Sequence, residues 1–326
     1  MIANEFINNL SYAIEYAQDR SKRYYLGGSA IGDECERKLQ YEFRHCTDKY
    51  FTASTLKKFD DGHRSEAIYI DRIKSAGYQL QHEENGIQYG FSDFGGWFRG
   101  HRDGKLFNLP FLNNQDAIWE HKSSAKWKTL DNLVKKDEST ALKSWNLTYY
   151  IQAQLYMGYD NTHKHLLTCS SEGSRDETVV VTDFNQMDFD QTRDKANRII
   201  TSDGLLPKIS NNPTFFKCKM CDSSKICHGD ELPRPNCRNC SSIDFLTDGD
   251  RKAKCAKFGH EFEGDPKSLE GSYDCHTYLP ELIDEKAIID GLVSFHRDGL
   301  KYTLEQGSFV NGSSGSAIKS IDLYEG

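Results

Sequence analysis

The stretch from Trp97 to Lys122 constrains the fold of this chain more than any other. It places Asp103 in one extended segment and, after a loop rich in Asn and Pro, sets residues 120–122, E-H-K, on a second. Because successive side chains of a strand point to opposite faces, Glu120 and Lys122 are expected to project together while His121 points away. Two carboxylates and one amine would then share a surface.

Such a surface suits a metal-dependent phosphodiesterase. Carboxylate oxygens are the ligands that a hard divalent cation prefers, and a neighbouring amine can orient or deprotonate an attacking water. The alternative is an ordinary solvated strand face, because E-x-K occurs by chance in many strands. The rest of the chain has to decide between the two interpretations.

The remaining sequence alternates helical and extended patterns. Apolar residues recur at helical spacing in residues 2–17, 55–76, 146–158 and 186–202, whereas 87–108, 116–123, 164–170 and 177–184 are strand-like. This order predicts an α/β fold of mixed three-layer type. The apolar stripe of the first helix is expected to pack in the core. Ser29 is expected to cap a helix that carries Cys35, Arg37 and Tyr41.

Two of these helices carry polar pairs. His63 and Glu66, three residues apart, face the same way on the helix over 55–76. Gln152 and Tyr156, four residues apart, share a face of the helix over 146–158. A single histidine in such a place is more often structural than a metal ligand, so the spacing alone does not assign a role to His63.

Six of the ten cysteines lie between Cys218 and Cys255 in two closely spaced sets. The first set, C-x2-C-x5-C, consists of Cys218, Cys221 and Cys227. Three thiolates fit zinc or an iron-sulfur cluster, and either needs a fourth ligand. His228 follows directly, and Cys35, distant in sequence, is also available.

The second set follows the linker E-L-P-R-P-N, residues 231–236. It predicts a small zinc module whose first-choice ligands are Cys237, Cys240, Cys255 and Cys275, with His260 and His276 as alternates. About fifty residues are too few to rely on a hydrophobic core, so a metal would supply stability. The polar linker and a change in charge favour an independent module over one packed on the core. The expected boundaries are 1–230, 231–290 and a strand-like tail, 291–326, with a turn at Gly312–Gly315.

The net charge of −8, taken whole, argues against a nucleic-acid partner. Residues 228–326 hold 11 Lys and Arg against 18 Asp and Glu, which leaves a balance of only −1 for the first 227 residues. Residues 122–143 hold six lysines, Lys126 and Lys128 among them, against three acids, a patch that suits a phosphate backbone. An apolar run of about 20 residues and an N-terminal signal pattern are both missing, so we expect a cytoplasmic protein without a membrane partner.

Together these motifs resemble the RecB-like branch of the PD-(D/E)XK nucleases. The closest likeness is to its iron-sulfur members, which include the AddB nuclease domain, CRISPR-associated nucleases and similar bacteriophage enzymes. In that family an N-terminal cysteine followed by Arg and Tyr joins a C-terminal C-x2-C-x5-C around a [4Fe-4S] cluster. The matching residues here are Cys35, Arg37 and Tyr41, then Cys218, Cys221 and Cys227. Cys46 is a spare that could replace Cys35.

Between the cysteines the family has G-H or G-x-x-x-E, then G-x-x-D, E-x-K and Q-x-x-x-Y. This chain supplies them in the same order as Gly62-His63 with Glu66, Gly100 to Asp103, Glu120 with Lys122, and Gln152 with Tyr156. No proline precedes Asp103, a departure that the RecB-like branch often shares. The resemblance covers about residues 25–230.

The resemblance implies a restriction-endonuclease-like core and a Mg²⁺- or Mn²⁺-dependent DNA nuclease, an exonuclease of recombination, replication or DNA processing. Asp103 and Glu120 would bind the metal with His63 or Glu66, of which His63 is favoured. Lys122 would position water, and Gln152 and Tyr156 would steady the site and contact the strand. Contacts to DNA would come from Arg37, Tyr41, Lys126 and Lys128. A phage enzyme would act in the host cytoplasm.

In the same reading the cluster is structural. The C-terminal module would bind a protein partner or pack on the nuclease core. The alternative function is a nuclease fold that binds DNA or protein without catalysis.

Overall fold

Helices and strands alternate along the chain in a mixed α/β fold. The computed structural model describes residues 2–19, 21–229, 231–263, 266–271, 275–279, 282, 294–297, 300–305, 308–311, 317–318 and 320–325. The helices are α1 (Ile2–Tyr16), α2 (Glu36–Phe43), α3 (Ala53–Ser75), α4 (Trp127–Trp145), α5 (Leu147–Asp160), α6 (Gln186–Thr201), α7 (Phe216–Lys219), α8 (Ser224–His228) and α9 (Ser320–Glu325). Within this part of the chain, no helix combines the length and apolar character needed to cross a bilayer.

The strands before residue 200 are β1 (Leu26–Gly27), β2 (Leu80–Gln81), β3 (Glu83–Glu84), β4 (Ile87–Gln88), β5 (Gly90–Asp93), β6 (Phe98–His101), β7 (Gly104–Leu109), β8 (Gln115–Ser123), β9 (Lys164–Ser170) and β10 (Glu177–Asp183). Those after it are β11 (Ile243–Phe245), β12 (Ala253–Cys255), β13 (Glu261–Phe262), β14 (Ser294–Arg297), β15 (Leu300–Glu305), β16 (Ser308–Asn311) and β17 (Ala317–Ile318).

A five-stranded mixed sheet, in the order β10-β9-β8-β7-β2, forms the centre of the fold. Its middle strand, β8, runs antiparallel to β7 and parallel to β9. Ile118 of β8 packs in a core cluster with residues of α4 and α5, whereas Trp119 packs with Tyr69 of α3. Helices therefore cover both faces of the sheet, in the three layers that the sequence predicts.

Two local predictions are wrong, and one helix was not predicted. The apolar stripe of α1 is not in the core, since Phe6 and Leu10 are 63% and 46% exposed. The N-cap of α2 is Cys35 itself, six residues after Ser29. Helix α4 occupies a lysine-rich segment for which the sequence analysis predicts no element. The predicted turn at Gly312–Gly315 lies outside the described residues.

The segment after the Pro-containing linker shares its core with the N-terminal part of the chain. Strands β11, β12 and β13 form an antiparallel sheet. The ring of Phe245 on β11 lies 4.7 Å from the ring of Phe43 and 5.1 Å from that of Trp97, centroid to centroid. The indole Nε1 of Trp97 also donates to the Leu246 carbonyl at 3.1 Å. This packing favours the alternative of a packed tail over an independent module.

Arg238 joins the two parts of the chain. Its side chain is fully buried, with the guanidinium over the rings of Phe43, Trp97 and Phe245. The Nη2 atom donates to the carbonyls of Tyr24 at 3.1 Å and Phe43 at 2.7 Å. Burial, together with the nearby Arg44, lowers the pKa of Arg238 to about 9.

We expect Arg238→Ala to lower the free energy of unfolding by about 3 kcal/mol, because the buried carbonyls of Tyr24 and Phe43 lose their donors and a cavity opens between aromatic rings. Urea unfolding followed by circular dichroism measures the change. The matched control is Arg234→Ala, which removes an exposed guanidinium from the same segment. Equal stability of the two variants would contradict the assigned role of Arg238.

Candidate active site

The even-numbered face of β8 carries the predicted Glu-Lys pair. Glu120 is only 2% exposed, and Lys122 is half-buried beside it. The Lys122 amine donates to Oε1 of Glu120, and Nε2 of Gln152 donates to the same oxygen at 2.9 Å. The two side chains therefore project together, as the alternation of the strand predicts.

His121 points to the opposite face of β8. Its ring stacks on Tyr69 of α3 at 4.1 Å, and its nitrogens contact Oγ of Ser65 at 2.7 Å and Oγ1 of Thr168 at 2.9 Å. Burial, with Lys122 and Arg72 as nearby positive charges, lowers the pKa of His121 to about 4. The histidine thus ties α3 to the back of the sheet and lies outside the candidate site.

Asp103 lies directly before β7, next to the Glu-Lys pair. Its Oδ2 accepts a hydrogen bond of 2.8 Å from the backbone N–H of His121, which fixes the carboxylate against β8. The preceding strand, β6, contacts Tyr156, whose hydroxyl donates to the His101 carbonyl at 2.6 Å. A Cβ on Gly100 would lie 2.9 Å from Cε1 of Tyr156, so glycine is needed at that position.

Gln152 and Tyr156 connect α5 to β8 and β6. Gln152 binds Glu120 of β8, Tyr156 binds β6, and Nε2 of Gln152 lies 3.4 Å from the Tyr156 hydroxyl. Both side chains are buried. Their contacts fix the position of the Glu120 carboxylate, and their own burial leaves little surface for direct contact with DNA.

The carboxylates of this site repel one another. Burial and the Asp103 carboxylate raise the pKa of Glu66 to about 7, although Lys122 lowers it in part. Burial, with Asp103 and Glu66, likewise raises the pKa of Glu120. Burial lowers the pKa of the Lys122 amine, but the Glu120 and Asp103 carboxylates more than offset this, so that the amine stays charged.

The geometry favours Glu66 over His63 as the third acidic-site residue. Glu66 is half-buried and interacts electrostatically with Asp103, Glu120 and Lys122. His63 is exposed on the same helix. The preference for His63 in the sequence analysis is therefore not supported by the placement of the two side chains.

One oxygen of the buried pair suits a divalent cation. Oε2 of Glu120 is buried without a hydrogen-bond partner among the described residues. An orphaned carboxylate oxygen beside two further carboxylates is a donor set of the kind that Mg²⁺ or Mn²⁺ uses. In the described part of the chain, no three His, Cys, Asp or Glu side chains are arranged as a ready-made ion site. Binding would therefore require the carboxylates to turn toward the ion.

The first cysteine set borders a cavity of about 600 Å³. Its lining includes Cys35, Cys218, Cys221 and Cys227 together. Burial raises the pKa of the Cys221 thiol, with the Cys35 thiol as a further contribution. Cys46 is not part of this lining and is buried among Tyr278, Leu279 and Leu282. Cys35 therefore shares the cavity lining with the C-terminal triad, whereas Cys46 lies in a neighbouring cluster against which Cys227 also packs.

The second set borders a cavity of about 240 Å³. Its lining includes Cys237, Cys240, Cys255, Cys275, His260 and His276. Burial and the three other thiols raise the pKa of Cys237 to about 12. Nε2 of His276 is hydrogen-bonded to Oδ1 of Asn239 at 2.8 Å. The first-choice ligands and both alternates thus surround one space.

The four residues expected to contact DNA divide into two pairs. Lys126 and Lys128 are exposed just beyond the end of β8. Arg37 and Tyr41 are buried on α2, where Arg37 donates to the Leu206 carbonyl. Burial removes Arg37 and Tyr41 from the protein surface, so we correct their expected role from DNA contact to packing beside the first cysteine cavity.

The sequence analysis missed Tyr149, whose ring centroid lies 5.3 Å from the Lys122 amine. Tyr149 precedes Gln152 by one turn of α5, and that spacing was the available signal.

We expect Glu66→Gln to raise the free energy of unfolding at pH 8 in metal-free buffer by about 1–2 kcal/mol, a figure discounted for partial exposure. The folded-state pKa is about 7, against about 4.3 in an unfolded chain. An acid with a raised pKa binds more protons in the folded than in the unfolded state. The loss of folding stability caused by its ionisation is therefore absent below about pH 4, grows between pH 4 and 7, and is complete above pH 7. The gain should shrink at pH 6 and vanish at pH 4.

Urea unfolding at pH 4, 6 and 8 measures this dependence, and Glu83→Gln, at an exposed position, is the control. A gain that is the same at all three pH values, or that the control shares, would show that the charge of Glu66 is not the cause.

The chain matches no family model and no curated protein. Solved structures to which it is similar at low identity include those of three proteins. The first is SSO0001, at 15% identity over 70% of this chain and 96% of the other, with a TM-score of 0.36. The second is an alkaline exonuclease from Laribacter hongkongensis, at 9% identity over 59% and 90%, with a TM-score of 0.36. The third is a phage-related exonuclease from Haemophilus somnus 129PT, at 11% identity over 54% and 91%, with a TM-score of 0.32. Likenesses at this level carry no conclusion about function.

Proposed function

We propose that this chain is a metal-dependent DNA nuclease with a PD-(D/E)XK-type site, working as an exonuclease in recombination, replication or DNA processing. The observation that carries the proposal is the state of Glu120. One of its buried oxygens is held by Lys122 and Gln152, and the other has no partner among the described residues. A carboxylate held in this way is prepared for a cation and costs stability without one.

The residues divide the work of phosphodiester hydrolysis. Asp103, Glu120 and Glu66 would hold Mg²⁺ or Mn²⁺, which when bound neutralises phosphate charge and lowers the pKa of a bound water. Lys122 orients the attacking water oxygen toward phosphorus and supplies positive charge where negative charge develops. Gln152 and Tyr156 keep Glu120 and the strand before Asp103 in register. The water oxygen would bond to phosphorus as the bond to the leaving sugar oxygen breaks, with the water proton passing to solvent and a solvent proton neutralising the leaving oxygen.

Two metal centres complete the proposal. A [4Fe-4S] cluster would occupy the first cavity, held by Cys35, Cys218, Cys221 and Cys227, and zinc would occupy the second, held by Cys237, Cys240, Cys255 and Cys275. The described cysteines border these cavities without converging on a point. Loading either metal would therefore require the thiols to move toward it.

The alternative function is that of a nuclease fold that binds DNA or protein without catalysis. The set of Asp103, Glu120 and Lys122 argues against it, because a binding protein gains nothing from burying repelling carboxylates. A DNA cleavage assay with and without a divalent metal separates the two functions.

We expect the purified protein to degrade end-labelled linear DNA with Mg²⁺ or Mn²⁺ and not with EDTA. Glu120→Gln and Lys122→Ala should each lower the rate at least about 100-fold, as loss of a charged catalytic group does. Lys74→Ala, at an exposed position of α3, is the control. Glu66→Ala should cost more activity than His63→Ala, because only Glu66 approaches the other carboxylates.

Circular DNA in the same assay tests the exonuclease assignment, since an exonuclease needs an end. Full activity of folded Glu120→Gln or Lys122→Ala protein would rule out this site. Metal-bound but inactive protein would favour the binding-only alternative.

Anaerobically purified protein should be brown and contain about four iron atoms. Cys35→Ser should lose most of the iron, because that thiol lies in the cavity with the triad. Cys46→Ser should keep the iron, because Cys46 does not line that cavity. Iron analysis and absorbance measure both. Iron retained in Cys35→Ser and lost in Cys46→Ser would reverse the ligand assignment, and iron-free protein with two zinc ions would replace the cluster with zinc.

A further inference from the structure

Two aromatic rings extend the candidate site beyond its catalytic amine. Tyr149, in the first turn of α5, lies with its ring centroid 5.3 Å from Nζ of Lys122. Trp145, the last residue of α4, lies 5.7 Å from Tyr149 between ring centroids, at an interplanar angle of 45°. The two rings form a short aromatic path that starts at Lys122. Because they are tilted, neither ring covers the face of the other.

Core packing accounts for only part of these two side chains. Both pack at the edge of the cluster formed by Leu142, Tyr150 and their neighbours, and both remain half-buried rather than buried. Tyr150 and Tyr156, by contrast, are buried on the same helix and donate to Asp188 and to the His101 carbonyl. Part of each side chain of the pair therefore remains at the surface, where a ligand can contact it.

The corner between α4 and α5 fixes the backbone that carries the two rings. Only Asn146 separates the helices, and its Oδ1 accepts from the backbone N–H of Tyr149 at 3.2 Å as the N-cap of α5. A backbone that is already ordered loses little freedom when a ligand binds. The same corner borders the first cysteine cavity through Trp145 and Asn146.

Ring faces of this kind discriminate between forms of DNA. In a duplex each base face is covered by the next base pair, about 3.4 Å away along the axis, so paired bases cannot offer their faces to a protein ring. Unpaired bases can, and stacking on aromatic side chains is the general way in which single strands are held without regard to sequence. The amine of Lys122 at the start of the path complements a phosphate.

We propose that Tyr149 and Trp145 form a stacking site for the unpaired bases of the DNA strand whose phosphate is bound at Lys122. The proposal rests on the proposed nuclease function and specifies its substrate as single-stranded DNA or a frayed end. The bases adjoining the scissile phosphate lie on Tyr149 and then Trp145. The exposed lysines Lys126 and Lys128 bind phosphates and not bases.

The test measures binding in the inactive Glu120→Gln protein with Mg²⁺ present, so that the strand is not degraded. Fluorescence anisotropy with a labelled twelve-residue oligothymidylate and with a closed hairpin duplex gives the two dissociation constants. Tyr149→Leu and Trp145→Leu each keep apolar bulk, and each should weaken oligothymidylate binding about 10-fold, as loss of one stacking ring does. Hairpin binding should change less than 2-fold.

Further variants exclude a merely structural role. Tyr149→Phe keeps the ring and should bind like the parent protein, whereas Tyr16→Leu removes an exposed ring on α1 and should have no effect. The dependence of affinity on salt should be unchanged in Tyr149→Leu, because no phosphate contact is lost. It should become shallower in Lys126→Ala.

Three outcomes would overturn the proposal: parent protein that does not bind the oligothymidylate, Tyr149→Leu with unchanged affinity for it, or equal weakening toward both ligands. Failure of the nuclease function itself is read separately, from DNA degradation by the unaltered chain. A protein that degrades DNA while Tyr149→Leu binds normally keeps its function and loses only the stacking site.

Discussion

The candidate site depends on negative charge that is buried without full compensation. Glu66, Asp103 and Glu120 lie around one amine, that of Lys122, and burial strengthens every repulsion among them because the interior screens charge less well than water. Burial, followed by the Asp103 carboxylate, raises the pKa of Glu66 to about 7. The five-stranded sheet, Gln152 and Tyr156 hold the carboxylates in place against it. A fold that maintains such an arrangement holds carboxylates whose charge costs stability until a proton or a cation neutralises it.

The sequence predicts most of the elements that build this site, because alternation and helical spacing are local properties. The projection of Glu120 and Lys122 to one side of β8 follows from the pleat alone, and the bounds of β9 match the prediction. The spacing of residues in the sequence does not decide whether His63 or Glu66 joins the site. Spacing of three residues places both on one side of a helix, but only tertiary packing determines which one reaches Asp103.

The failures have equally physical reasons. Helix α4 begins among lysines and is amphipathic only over a kinked path, with Asp137 outside helical geometry, so its pattern is weak. The stripe of α1 is apolar, but apolarity does not reveal whether a partner surface exists within the chain. The linker before the second cysteine set is polar, and its composition gives no sign that Phe245 and Arg238 beyond it pack against Phe43 and Trp97.

The contacts of Arg238 also set an order of events during synthesis. Its guanidinium donates to the carbonyl of Phe43, 195 residues earlier, and to that of Tyr24, 214 residues earlier. A ribosome releases the N-terminal segment long before residue 238 has been translated. Those carbonyls, and the ring faces of Phe43 and Trp97, therefore wait for a partner while most of the chain emerges.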